Sequence, residues 1–194
     1  MPVYLWNRIL NISAEEEKCE IAAIDAIGIS RTNASQYYLK RIDSDNPVKR
    51  HIKLSIMVDV ARKKFLLARI RANPVHDIKD VKYLLRNLSI NPIITLLDKG
   101  YDDENLHSFF RQKQIYSIIP VRMNCVRGTY RKEMRDYFDY GIYFLRNIAE
   151  TLISCIKRKY GSSVNSKSIA SQRSDLYCRM ILHNIFYFFK CYFH

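Results

Sequence analysis

CEIAAIDAIGIS, residues 19–30, is an apolar run rich in isoleucine, ended by Gly28, with one aspartate, Asp25, in its middle. A short apolar run of this kind predicts a buried β-strand. A carboxylate inside such a strand costs on the order of several kcal/mol unless it is paired or holds a cation. HIKLSIMVDV (51–60) and KKFLLARIRA (63–72) are two further predicted strands, and VDVARKK between them has the polar character of a hairpin connection. NPVHD then stops the third strand and offers Asp77 as N-cap of DIKDVKYLLRNL (77–88). In that segment Ile78, Val81, Leu84, Leu85 and Leu88 recur at helical spacing.

NPIITLLD (91–98) is a fourth predicted strand, nearly unbroken in apolar residues, as in a central strand covered on both faces. It closes on a second aspartate, Asp98. DENLHSFFRQKQ (103–114) predicts a short helix whose opening acids suit its N-terminal dipole. IYSIIPV (115–121) is a fifth strand, stopped by Pro120. A polar, basic stretch (122–139) leads into a long helix, YFLRNIAETLISCIKRKYG (143–161), and a last helix follows the 161–168 loop. Three hairpin-linked strands followed by alternating helix and strand imply an α/β architecture: one mixed, five-stranded sheet flanked by helices, with an extra C-terminal helix. That is the element order of the ribonuclease H-like fold. The expected organisation is an N-terminal extension over 1–18, a catalytic domain over 19–170, and a C-terminal helix over 171–194 packed on the domain or on a partner.

The chain has 194 residues, a formal charge of +13 and 48% hydrophobic residues. This suits a globular domain with a sizeable core and points to a polyanionic partner, with scattered surface charge as the plainer reading. Five cysteines, far apart and never in CxxC spacing, give no readable zinc site or disulfide framework and fit a reducing compartment. No signal peptide is visible. The greasy C-terminal segment, interrupted by Arg179, His183 and Lys190, reads as a buried or partner-covered helix rather than a membrane span.

The long helix carries the third acid. At about 100° per residue, Tyr143, Glu150 and Lys157 nearly superimpose, with Arg146, Asn147 and Ser154 on the same side. Leu145, Ile148, Ala149, Leu152, Cys155 and Ile156 fall opposite and supply the core face. One carboxylate framed by a phenol, a guanidinium and an ammonium suits a cation site with phosphate beside it. Each acid also has a plainer reading: Asp25 answering a buried base, Asp98 opening a turn in DKGYDD, Glu150 solvated on its helix or paired with Arg146.

Tyr143, Arg146, Glu150 and Lys157 form Y-x-x-R-x-x-x-E-x-x-x-x-x-x-K, which resembles the YREK signature of the DDE transposases of prokaryotic insertion sequences. IAAIDAIGIS is similar to that family's first-Asp strand, LLDKGYDD to its second-Asp strand end, and YSIIPVR to the strand that follows. The likeness runs from about residue 19 to 187. It implies that Asp25, Asp98 and Glu150 are the catalytic triad, holding two Mg²⁺ or Mn²⁺ ions in a ribonuclease H-like core. It implies that Tyr143, Arg146 and Lys157 contact DNA. It further implies strand cleavage and strand transfer at insertion-sequence ends and target DNA, a homo-oligomer during transposition, and a cytoplasmic, nucleoid-associated prokaryotic protein with no membrane.

Only residues 1–18 precede the first strand, and the expectation is a chain lacking the family's N-terminal DNA-recognition region. The short span between the fifth strand and Glu150 leaves no room for the large β-rich insertion of some relatives. The alternatives are a truncated, non-catalytic DNA-binding remnant, a nuclease of the same fold that cuts RNA–DNA hybrids, and a membrane-surface role for the tail. Weaker site candidates are His76 with Asp77, Lys99, His51 and Lys53, and an aromatic-basic patch of Tyr37, Tyr38, Lys40 and Arg41.

Overall fold

A computed structural model describes residues 1–14, 19–31, 51–73, 75–88, 91–123, 127–166 and 168–192. The Tyr37–Tyr38–Lys40–Arg41 patch lies outside the described residues. The strands are β1 (Ile21–Ser30), β2 (His51–Asp59), β3 (Lys64–Arg71), β4 (Ile94–Leu96) and β5 (Tyr116–Ile118). They form one sheet in the order β3-β2-β1-β4-β5. β1 pairs antiparallel with β2 and parallel with β4, β2 with β3 is antiparallel, and β4 with β5 is parallel. The chain therefore has the mixed five-stranded α/β sheet that its element order predicts.

The helices are α1 (Val3–Ala14), α2 (Asp77–Arg86), α3 (Glu104–Gln112), α4 (Thr129–Asp136), α5 (Tyr140–Tyr143), α6 (Asn147–Tyr160) and α7 (Ile169–Tyr192). Side chains alternate across β1 to two cores. Ala23 and Ile29 meet Ala149, Leu152, Ile153 and Ile156 of α6 and Leu176, Tyr177 and Met180 of α7. Ala22 and Ile24 meet Val81, Leu84 and Leu85 of α2 and Leu106 and Phe110 of α3. Two layers of helix thus sandwich the sheet, and Ala22–Ile24 of β1 are buried on both faces, which explains the apolar run that precedes Asp25.

β3 is an edge strand, and its outward backbone groups are taken up by side chains. Asn184 on α7 accepts from Phe65 N at 2.8 Å and donates to Phe65 O at 2.8 Å. Asn7 on α1 accepts from Ala68 N at 2.9 Å, and the Tyr177 hydroxyl donates to Ala68 O at 2.7 Å. Trp6 stacks on Tyr177 with centroids 5.5 Å apart. The α1–α7 pair therefore shields the strand that would otherwise be open to pairing. No described helix is long and apolar enough to cross a membrane.

Several local expectations are corrected. Asp77 is the first helical residue of α2, His76 is the N-cap without a side-chain cap bond, and the Asp77 carboxylate instead pairs with Lys53. The long helix is broken into α5, a 3-10 turn at Phe144–Arg146, and α6. A 3-10 turn advances about 120° per residue, so it rotates Tyr143 away from strict superposition on Glu150. The stretch expected to be merely polar and basic contains α4. Glu104, on α3, caps that helix by accepting from the N–H groups of Tyr130 and Arg131 at its start.

Candidate active site

The last parallel ladder pair between β1 and β4 is Ala23 with Leu96. Asp25 and Asp98 each lie two residues further along their strands. The chain after β4 stays extended, since Leu97 N donates to Ile118 O at 3.1 Å and Asp98 has φ −74° and ψ 160°. Side chains two apart share a face, and neighbouring strands lie about 4.8 Å apart. Both aspartates are thus set at one level, on the face that Ala23 and Leu96 turn toward α6. α6 and the 3-10 turn before it pack on β1, and Glu150 follows the buried Ala149 on that helix.

The three acids share one electrostatic neighbourhood. Asp25 is half-buried, and its carboxyl is raised above the ordinary range chiefly by burial. The Ala26 N–H, which donates to Oδ1 at 2.9 Å, and Arg146 hold it down, while Glu150 and Asp98 push it up. Tyr143 is likewise raised by burial and by Asp98 and Glu150, against the pull of Arg146. Asp98 caps the 3-10 turn Lys99–Tyr101 with its carbonyl, accepting from Tyr101 N at 2.9 Å, while its side chain makes no cap bond.

Arg146 closes on Glu150, with Nη2 donating to Oε1 at 2.6 Å. Its side chain is only 15% exposed, while that of Glu150 is 53% exposed. Burial disfavours its charge, yet the Glu150 hydrogen bond and the fields of Tyr143, Glu150 and Asp25 hold the guanidinium above its usual value. The Arg146 Nε is buried and has no partner among the described residues. The ion-pair reading of Arg146 is therefore realised. Lys157 is two turns further on, in an open groove of about 730 Å³ that Asn147, Glu150, Ser154 and Arg158 also line.

The donor set suits a hard divalent cation in kind: three carboxylates that repel one another gain from a shared dication. In spacing, no three Asp, Glu, His or Cys side chains among the described residues draw together as a ready cage. Glu150 has Arg146 as its counter-ion instead.

The weaker candidates separate from this site. Lys53 points to the opposite face, where its ammonium meets Asp77 and, at 2.9 Å, Asp80. Asp80 also receives Arg71 Nε at 2.7 Å and the Ser55 hydroxyl at 3.1 Å. That network is structural. Lys99 follows Asp98 in the chain, is exposed, and lines a hollow with Phe138, Tyr140 and Tyr143. Sequence reading passed over the aromatics Phe138 and Tyr140, although DYFDYGIYF (136–144) is dense in them; they pack near Tyr143, with Phe138 5.1 Å from the Tyr143 ring.

Comparison with known proteins bears on the family and the fold. The family described as "Transposase DDE domain" matches residues 17–185. A piggyBac transposase, solved by cryo-electron microscopy as a synaptic complex with hairpin DNA, shares the fold with a TM-score of 0.56 at 11% identity. The match covers 89% of this chain and 47% of that one, so the chain spans about half the length of that transposase. No curated protein sequence matches. With nearly all of its length accounted for by that one domain, the chain belongs to the transposase DDE domain family.

Proposed function

We propose that this chain is the catalytic domain of a DNA transposase, cleaving and transferring strands at the ends of an insertion sequence of the prokaryotic YREK type. The observation that supports the reading is the register that sets Asp25 and Asp98 at one level past the ends of their paired strands, with Glu150, on the helix packed over β1, within electrostatic reach of Asp25. In this reading Asp25, Asp98 and Glu150 hold two Mg²⁺ or Mn²⁺ ions, with Glu150 exchanging Arg146 for metal. When bound, the ions supply activation of an attacking hydroxyl and charge neutralisation at the leaving oxygen.

The protein's own groups do the rest. The strand backbone fixes Asp25 and Asp98 relative to each other, and the Ala26 N–H orients one Asp25 oxygen. Arg146, released from Glu150, presents a buried and otherwise unpartnered Nε to a phosphate. Tyr143 positions that guanidinium, with Cζ 5.9 Å from its ring centroid. Lys157 extends cationic contact along the groove. Pairing of protomers on two DNA ends belongs to the same proposal.

A second reading, a DNA-binding remnant without chemistry, is favoured by two observations: Glu150 already has its counter-ion, and among the described residues the acids are not drawn into a cage. One experiment separates the two. Purified protein is incubated with supercoiled DNA and Mg²⁺ or Mn²⁺, beside Glu150→Gln. The catalytic reading expects metal-dependent nicking by the wild type and none by the variant, with DNA binding retained by both. Binding without nicking by either supports the remnant, and preferential cutting of RNA–DNA hybrids transfers the chain to another nuclease class.

A further inference from the structure

A cavity of about 410 Å³ lies between α1 and the C-terminal end of α2, away from the acids. Both helices pack on β3, the edge strand, and β2 separates β3 from the strand that carries Asp25. Two arginines line the cavity, Arg8 from α1 and Arg86 from the last turn of α2. Both are exposed, neither makes an ion pair among the described residues, and no carboxylate is among the lining side chains. Lys53, Arg69 and Arg71, on the neighbouring strands, are by contrast answered by Asp80. Arg86 offsets the electronegative end of α2, but Arg8 has no such partner, and two like charges on one cavity are relieved by a shared anion.

Asn7 supplies an independent observation. It is 3% exposed, and its Oδ1 accepts from Ala68 N at 2.9 Å, which fixes the corner of the amide that is oxygen. Nδ2, at the other corner, is buried and has no partner among the described residues, although Asn7 lines the cavity. Native proteins almost always satisfy such a donor. Two guanidiniums, an orphaned amide N–H and the exposed Tyr4 hydroxyl together ask for a ligand rich in acceptors. Arginine forks match the oxygens of a phosphate in pairs, and the volume leaves room for a group attached to it.

We infer that the α1–α2 cavity is a binding site for a phosphate group, held by Arg8 and Arg86 with Asn7 Nδ2 as a neutral third donor. The phosphate belongs either to a duplex backbone lying along the β3 edge or to a free phosphate compound; both present the same oxyanion. The inference does not depend on the transposase reading, because none of its residues belongs to that site.

The test titrates the full chain with inorganic phosphate at fixed ionic strength, by calorimetry and by NMR of the asparagine side-chain amides. Phosphate is expected to move the Asn7 signal, and chloride to leave it in place. Arg8→Ala and Arg86→Ala are each expected to weaken phosphate binding by roughly 10- to 100-fold, while Lys79→Ala, an exposed control on the same α2 helix, does not. Both arginines are exposed, so a melting temperature equal to wild type verifies folding. A duplex titrated over a salt series distinguishes the sources. A slope reduced by about 0.9 in Arg86→Ala assigns the phosphate to DNA, and an unchanged slope with phosphate binding lost assigns it to a free compound. An Asn7 signal unmoved by saturating phosphate, or arginine variants no weaker than Lys79→Ala, overturns the site.

Discussion

At Asp25, burial, Glu150 and Asp98 all raise the carboxyl, and the Ala26 N–H and Arg146 oppose them. Arg146→Ala is therefore expected to move the Asp25 titration further up, and Glu150→Gln to move it down. Carboxyl-carbon NMR reads both, and an Asp25 midpoint indifferent to either change means that the acids do not share a field. The sign for stability follows from linkage. An acid whose folded value is raised stabilises the fold when protonated, and that contribution is lost as pH rises from the unfolded value of about 3.9 through the folded one. Asp25→Asn is thus expected to raise the melting temperature at neutral pH by a few degrees and, under the proposed function, to abolish metal-dependent nicking, a trade common between a functional charge and stability. Calorimetry at neutral pH beside a nicking assay checks both halves. Asp25 and Asp98 were legible in the sequence because each interrupts or ends an apolar strand. The Arg146 contact, by contrast, is one of several that the sequence leaves open for Glu150. Helical spacing offers the i,i+4 pair but not whether a buried guanidinium prefers the carboxylate or an incoming phosphate.

The elements that flank the sheet depend on bonds made across long stretches of chain. Asn184 supplies both partners of Phe65 in the β3 edge and also donates to the Ser13 hydroxyl at 3.0 Å. Asn184→Leu leaves a buried N–H and C=O unpaired, at about 1–3 kcal/mol each. The urea midpoint is expected to fall by the equivalent of about 3 kcal/mol with an unchanged slope. On the opposite face, Asp80 is buried among Lys53, Arg69 and Arg71. Burial opposes its charge, but the Lys53 and Arg71 bonds win and hold its carboxyl below the ordinary range. Its contribution is present above the unfolded value of about 3.9 and is lost as pH falls through the folded value. Asp80→Asn is expected to cost about 3 kcal/mol at neutral pH, and the gap to wild type to narrow in that acid window. Denaturation curves at a series of pH values measure both. The same dependence on distant partners explains which elements the sequence concealed. α1 is twelve residues long, marginal as an isolated helix, and buries Leu10 and Asn7 against residues far along the chain. α4 is almost wholly polar and starts on a cap provided by another helix. β1 and α2, whose patterns are local, were legible almost to the residue.

For the molecule as a whole, the question is whether its +13 charge acts through a track or as a diffuse coat. The groove beside Glu150 gathers Lys157 and Arg158 on the α6 side of the sheet, whereas Lys79 is exposed on α2, on the opposite side. Neutralising a phosphate releases counterions, so log affinity falls with log salt by about 0.9 per contact on duplex DNA. A diffuse coat makes every lysine nearly equivalent. A track makes them unequal: Lys157→Ala is expected to weaken binding and to reduce the salt slope by about 0.9, while Lys79→Ala leaves both unchanged. Affinities for one duplex over a series of salt concentrations, compared among wild type and the two variants, decide the matter. Equal losses from both variants place the charge in the coat and detach Lys157 from the DNA path. Loss from Lys157 alone ties the cationic end of α6 to the DNA path proposed to run past Asp25, Asp98 and Glu150.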